Sequence, residues 1–476
     1  MHLYNARFVQ FFAQSTILKK DMIRKLIGKV LRRPGKQVLH AKHYGIRREL
    51  LHSNALKVCD RLQDAGFDAY VVGGAVRDLL LGKNPKDYDV ATSATPEQVR
   101  HVFHRSRIIG RRFRIVHVPF YDRDGEEIIE VTTFRGASDA PTDDAGRILR
   151  DNVYGSIEED AARRDFTANA LYYDPNREEI IDFHHGVADI EAKRLVMIGD
   201  PMQRYREDPV RMLRAVRLAS KLGLAIAPAT KKPMAELADL LENIPSARIF
   251  DEMMKLLLSG RAWVCITALR DEKLHKHVLP LLDKLLSRPE SSAFLQKALE
   301  NTDARLAEDK PVSAGFLFAA LLWQEVEFRW KKNEAAGEHP MPALVSAMND
   351  VEARVERKLA IPNRYSAAMK EIWLMQPRFE QRTGSRPSRL LEQARFRAAY
   401  DFLVLRAECG LADKELAEWW TQFQYCDEPT RSAMIARVAN PAKSDAKKRR
   451  KPQRRKPAAA KVGGDAGGNG GAADKP

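Results

Sequence analysis

Residues 71–90 read VVGGAVRDLLLGKNPKDYDV, and this stretch decides the fold. The run FDAYVV, residues 67–72, reads as a strand that ends in Gly73-Gly74, where the chain turns into a short helix. A double glycine lets the backbone approach a ligand closely, and the free N–H groups at the helix start favour an anion such as a triphosphate. Alone, the pair is an ordinary tight turn. Asp87 and Asp89 follow thirteen and fifteen residues after Gly74, in DYDVA, which reads as the next strand. Two apart on a strand, both carboxylates project from one face. Side by side they repel unless a cation sits between them, and hard oxygen ligands suit Mg²⁺. A DxD by itself is most often a solvated turn; the glycine turn upstream and further acids downstream favour the metal reading. A two-metal site needs another carboxylate from a neighbouring element. Glu130, in IIEVTTF, and Asp165, in ARRDFTANAL, are the candidates, and the residues do not choose between them.

Around this stretch, residues 51–200 alternate helix and strand. Ser53 can cap a helix ending at Gly66, and Thr95-Pro96-Glu97-Gln98 supplies a cap, a Pro at the first helical position and a capping-box partner. FRIVHVPF (113–120) and EIIEVTTF (127–134) read as strands, and Gly136 to Arg150 reads as a loop. After Asp200 the strand signal vanishes and helical patterns run to about residue 435. The expected organisation is a basic extension over 1–50, a head over 51–200, a helical neck over 201–260, a helical body over 261–435 and a disordered tail over 436–476. The fold class is therefore α+β, a head with a mixed sheet followed by an all-helical part.

A chain of 476 residues, 44% apolar and 30% charged, is long enough for several domains with cores of their own. Its net charge of +16 is uneven: residues 1–50 hold 12 basic and 2 acidic side chains, and residues 441–476 hold 11 and 3. The middle is close to neutral, so a polyanion is met partly by the two ends. Cys59, Cys265, Cys409 and Cys426 are scattered without a CxxC pair, which argues against a disulfide framework or zinc knuckle and for a reducing compartment. No secretory pattern or membrane-length apolar run is present, so a cytoplasmic protein is expected. Residues 17–33 place Leu18, Met22, Ile23, Leu26, Ile27, Val30 and Leu31 on one helical face opposite Lys and Arg, a helix able to lie on an anionic inner-membrane surface. An organellar presequence, or initiation at Met22, accounts for the same pattern.

VVGGAVRDLLLG, KDYDVAT, RRDFTANALYY and REDPVRMLRAVR, in this order and spacing, closely resemble the class II nucleotidyltransferases, the bacterial poly(A) polymerases and tRNA CCA-adding enzymes. The resemblance spans roughly residues 50–435. It implies a polymerase-β-like nucleotidyltransferase head, a neck carrying a nucleotide-selecting motif and an RNA-binding body. By the same likeness Asp87 and Asp89 hold catalytic Mg²⁺, with Mn²⁺ as an alternative, and Asp165 and Glu130 complete the catalytic acidic set. Gly73, Gly74 and Arg77 hold the triphosphate and sugar, joined by Arg164 and Asn169 of the RRDFT motif; Arg77 could instead pair with Asp78 or Glu130. Glu207, Asp208, Arg211 and Arg214 belong to the nucleotide-selecting motif. Asp208 would cap a helix opened by Pro209, one turn from Arg211, and a carboxylate that accepts from an amine beside an Arg that donates can select a base edge without a template.

IIGRRFRIVHV (108–118) resembles the poly(A) polymerase form rather than the CCA-adding one, placing Arg111, Arg112 and Arg114 near the head's active edge to meet RNA. His117 reads as a packed strand residue. Arg449, Arg450, Arg454 and Arg455 of the tail supply sequence-blind phosphate contacts. Trp373, Trp419 and Trp420 read as core or interface residues before base-stacking ones. The expected function is template-independent addition of AMP from ATP to RNA 3′ ends, with RNA rather than DNA as partner and RNA-processing proteins as further partners. A tRNA CCA-adding enzyme is the alternative, and a non-catalytic RNA-binding relative a second.

Overall fold

The structure, a computed structural model, describes residues 35–110, 114–122, 125–136 and 153–439. The helix read over 17–33, residues 137–150 of the loop, Arg111, Arg112 and the tail arginines lie outside the described residues. The chain divides into two compact units between Leu374 and Met375, inside a helix over Asn363–Phe379 that carries Pro377. The division falls within the segment read as one helical body.

The head is built on an eight-stranded mixed sheet. In chain order the strands are β1 (Gln37–His40), β2 (Ala69–Val72), β3 (Asp89–Thr92), β4 (Arg107–Ile109), β5 (Ile115–Asp122), β6 (Gly125–Thr133), β7 (Leu171–Asp174) and β8 (Glu179–Asp182). Their order across the sheet is β1-β8-β7-β2-β3-β6-β5-β4, antiparallel except for the parallel β3–β6 pair. Parallel neighbours need a crossover, and here helix α3 (Pro96–Val102) with β4 and β5 makes it.

Strand alternation sorts the apolar residues onto two faces. Val71, Val90, Val116 and Val131 pack with Val58, Cys59 and Leu62 of α1 (Ser53–Asp64) and Val99 of α3 in one core. Val72, Ala91, Phe134, Tyr172 and Ile181 form a second cluster on the other face. Helix α3 carries the expected capping box: Thr95 accepts from Gln98 N, and the Gln98 side chain accepts from Thr95 N. In α1 the cap lies one residue earlier than expected, at His52, whose Nδ1 accepts from Asn54 N while Ser53 is already helical. Asp87 lies in the loop before β3 rather than on the strand.

Helix α2 (Gly74–Leu80) follows the glycine turn; α4 (Ile157–Arg163) and α5 (Gly186–Glu191) complete the head. Beyond it come α6 (Pro201–Glu207), α7 (Val210–Leu222) and α8 (Ser246–Leu257). The region is helical as expected, save for a two-residue strand, Ala225–Ile226, paired in parallel with Arg194–Leu195. Among the described residues no helix is long and apolar enough to cross a membrane, and all four cysteines are free. Trp373 and Trp420 are fully buried, donating through Nε1 to Ala319 O and Phe379 O respectively. Trp419 is half-buried and stacks on Phe423.

Candidate active site

Strand register builds the acidic row. Val72 opposes Asp89, Asp89 opposes Glu130 across the parallel pair, Glu130 opposes His117, and His117 opposes Arg107. Directly opposed residues share a face and lie close enough for their side chains to interact, so Glu130 stands beside Asp89 although 41 residues separate them. Solvent reaches the Asp89 carboxylate, yet the surrounding walls desolvate it. That desolvation, with the charges of Glu130 and Asp87 and against the pull of Arg164, pushes its pKa up to about 6. His117, expected to be a packed strand residue, is partly exposed, with Nε2 at 3.5 Å from Glu130 Oε1. Among the described residues no three His, Cys, Asp or Glu side chains are drawn together into a ready-made metal cage. The donors nevertheless fit a hard divalent cation: they are carboxylate oxygens, and a cation beside Asp89 would offset its desolvation and the neighbouring charge of Glu130.

The glycine turn lies at the next edge of the same face. Gly73 has φ +71°, a conformation that disfavours any side chain, and a Cβ there would meet Arg164 Nη1 at 3.3 Å. Arg77 is buried and paired as one of the expected alternatives had it: Nη2 lies 2.7 Å from Asp78 Oδ1, and Nη1 donates to Asn169 Oδ1 at 2.6 Å. Asn169 Nδ2 in turn donates to Asp165 Oδ1 at 3.0 Å. Arg164 donates to Asp160 Oδ2 and to Tyr172 Oη and lies over the Tyr172 ring, so its guanidinium is fixed on three sides.

Asp165, expected in the catalytic acidic set, is engaged by a cation of α7. Its Oδ2 accepts from Arg214 Nε at 2.8 Å, with Nη2 at 2.6 Å, and its Oδ1 accepts from Phe166 N and Asn169. Burial alone would raise its pKa, but the charge of Arg214 and these hydrogen bonds outweigh burial and hold it below the usual carboxylate range. Arg214 belongs to α7, so this pair joins the head to the neck. The same helix departs slightly from expectation at its start: it opens at Val210 with Pro209 as the cap, and Asp208 accepts from Val210 N. Asp208 does not pair with Arg211. It takes two hydrogen bonds from Arg248 Nη2 of α8, at 3.1 and 3.2 Å, while Arg211 turns back to Glu207 Oε2 and to Arg204 O.

One cavity of about 850 Å³ collects these groups: Gly73, Gly74, Arg77, Asp89, Glu130, Arg164, Asp165, Asn169, Glu207, Asp208, Arg211 and Arg214 all line it. Asp87 and Arg114 do not. Arg114 Nη1 lies 2.6 Å from Glu97 Oε1 at the start of α3, away from the cavity. Ten lining side chains are Arg or Lys against six Asp or Glu, so the space suits an anion. Sequence reading missed Asp160, Arg204, Arg217, Lys221 and Arg248. The spacing of Arg211, Arg214, Arg217 and Lys221 along one face of α7 was a usable signal for two of them. Arg248 had none, because a lone basic residue on a helix gives no hint of its partner.

Comparison with known proteins supplies the family. Residues 69–196 match the Poly A polymerase head domain, 223–286 the probable RNA and SrmB-binding site of polymerase A, and 336–456 the polymerase A arginine-rich C-terminus. Poly(A) polymerase I of Haemophilus influenzae is 43% identical over 418 residues, covering 85% of this chain and 91% of that protein. A CCA-adding enzyme of Streptococcus pneumoniae is 42% identical over 205 residues, covering 43% of this chain and 50% of that protein. The Thermotoga maritima CCA-adding enzyme complexed with tRNA shares the fold at a TM-score of 0.52 and 16% identity, covering 84% of this chain and 99% of that one. With likeness at this level through nine-tenths of a relative's length and the three polymerase A segments in order, the chain belongs to the poly(A) polymerase I family of nucleotidyltransferases.

Proposed function

We propose that the chain is a template-independent poly(A) polymerase that transfers AMP from ATP to RNA 3′ ends in RNA polyadenylation, processing and decay. The carrying observation is the extent of likeness: alignment with poly(A) polymerase I runs through 418 residues, whereas the alignment with a CCA-adding enzyme ends after 205.

The cavity accounts for the chemistry. The RNA 3′-oxygen forms a bond to the α-phosphorus as the bond to the β-phosphate oxygen breaks, releasing pyrophosphate. Mg²⁺, or Mn²⁺ in its place, held by Asp87 and Asp89 with Glu130 beside them, would lower the pKa of the attacking hydroxyl and steady the charge on the leaving group. The backbone of Gly73 and Gly74 leaves room for the phosphates, and Arg77 acts through Asn169, which it holds. Asp165 positions Arg214 and Asn169 and makes no contact with the reacting atoms. Asp208 and Arg211, each restrained by a charged neighbour, present one acceptor and one set of donors to the base.

The basic tail supplies attraction for RNA, the basic and apolar N-terminal segment contact with an anionic membrane, and the 223–286 segment a surface for RNA-processing proteins. An assay with a generic RNA primer and a tRNA lacking its 3′ end, each given ATP, CTP or both with Mg²⁺, tests the reading. Long A tails on the generic primer are expected; CCA completion of the tRNA alone would replace this reading by the CCA-adding one, and binding without extension by the non-catalytic one.

A further inference from the structure

Helix α7 lays a row of cations along the cavity: Arg211, Arg214, Arg217 and Lys221 all line it, at three- and four-residue spacing on one face. The first three are each matched by a carboxylate, Glu207 at 3.0 Å, Asp165 at 2.6 Å and Glu252 at 3.3 Å. Lys221 is not: among the described residues no carboxylate comes within ion-pair distance of it, and the nearest anionic influence is Asp78, already spent on Arg77. Lys221 is open to solvent, but partial desolvation by the surrounding walls, together with the charges of Arg77, Arg217 and Lys83 and against that of Asp78, holds its pKa below the ordinary lysine value. A cationic corner of this kind is relieved when a polyanion enters.

The helix also sets a distance. Ten residues from Arg211 to Lys221 span about 15 Å along the axis, comparable with an extended nucleoside triphosphate. Asp208 and Arg211 occupy the base end. Lys221 occupies the other end, on the side of the cavity where Arg77 and Gly74 stand. The carbonyl end of α7 repels phosphate there, and an ammonium in the last turn offsets that repulsion.

We propose that Lys221 contacts the terminal phosphate of the incoming nucleotide and the departing pyrophosphate, and so makes the site prefer a triphosphate to a diphosphate. This rests on the nucleotidyl-transfer reading above. The test compares wild type, Lys221→Met and Lys221→Arg in AMP transfer, with pyrophosphate and ADP as inhibitors and direct calorimetric binding of pyrophosphate to each protein. Loss of one charge-assisted contact should raise the KM for ATP and weaken pyrophosphate about tenfold in Lys221→Met. The ADP inhibition constant should stay unchanged, and Lys221→Arg should restore both losses. Unchanged pyrophosphate binding in Lys221→Met overturns the proposal, as does equal loss in both variants or an equal weakening of ADP. A wild type that transfers no AMP would overturn the reading of function, while the calorimetric comparison would still decide the role of Lys221.

Discussion

The Arg214–Asp165 pair is the most exacting place to test how the head and neck are held together. Asp165 is nearly inaccessible to solvent, and its Oδ2 has Arg214 Nε and Nη2 at 2.8 and 2.6 Å. Replacing Arg214 by Met keeps most of the stem and strands a buried carboxylate. Removal of one partner from a fully buried pair costs about 3–5 kcal/mol. Arg214 keeps 38% of its side-chain exposure, so water screens part of that cost, and about 2 kcal/mol is the expected loss. Asp165→Asn alone should cost less, since Phe166 N and Asn169 still find an acceptor at that position. The double variant should then be less destabilised than the sum of the two, with a coupling of about 1–2 kcal/mol in urea unfolding at neutral pH.

The pH dependence adds a second constraint. The folded pKa of Asp165 lies below its unfolded value, so its stabilisation is fully present above the unfolded value of about 3.9 and is lost as the pH falls through the folded one. The coupling should therefore be flat from about pH 5 to 8. Additive single variants, or a coupling that already fades between pH 7 and 5, would refute the assignment of Asp165 as a positioning residue and return it to the metal-binding set.

Three further outcomes are expected. Asp87→Ala or Asp89→Ala should abolish AMP transfer in primer extension while RNA binding by gel shift stays near wild type; undiminished transfer in either removes the metal assignment. Because the metal-free pKa of Asp89 is raised to about 6, Mg²⁺ binding followed by calorimetry should weaken as the pH falls through 6 and should release protons there, and Asp89→Asn should stabilise the metal-free protein above that pH. Truncation after about residue 440 should weaken RNA binding and flatten its salt dependence while sparing transfer on saturating primer, and an unchanged salt slope counts against an electrostatic role for the tail.

The local features were legible because their causes are local. A glycine at φ +71° before α2 and the Thr95–Gln98 capping box each involve neighbours within a few residues. Glu130 could be read as a strand residue but not as the partner of Asp89, because alternation reports which face a side chain takes and is silent on which strand lies alongside. The same limit hid Arg248 from Asp208 and Arg214 from Asp165, pairs 40 and 49 residues apart. Charge counting failed for a related reason: the near-neutral middle of the chain holds a cavity with ten basic and six acidic side chains, a local excess that an average over 390 residues erases.

The question that the motifs left open, whether Asp165 or Glu130 is the third carboxylate, turns on where positive charge has already been supplied. Asp165 sits against a two-pronged guanidinium and two further hydrogen-bond donors, Phe166 N and Asn169 Nδ2, and its lowered pKa records that its charge is satisfied. A cation arriving there would compete with Arg214 and gain little. Asp89 and Glu130 are opposed across a parallel strand pair, and the pKa of Asp89 is raised first by desolvation and then by the charge of Glu130 beside it. On the nucleotidyl-transfer reading proposed above, a divalent cation is expected at the β3–β6 pair, where it would offset the desolvation of Asp89 and the charge of Glu130 beside it, with Asp165 fixing the geometry of the neck.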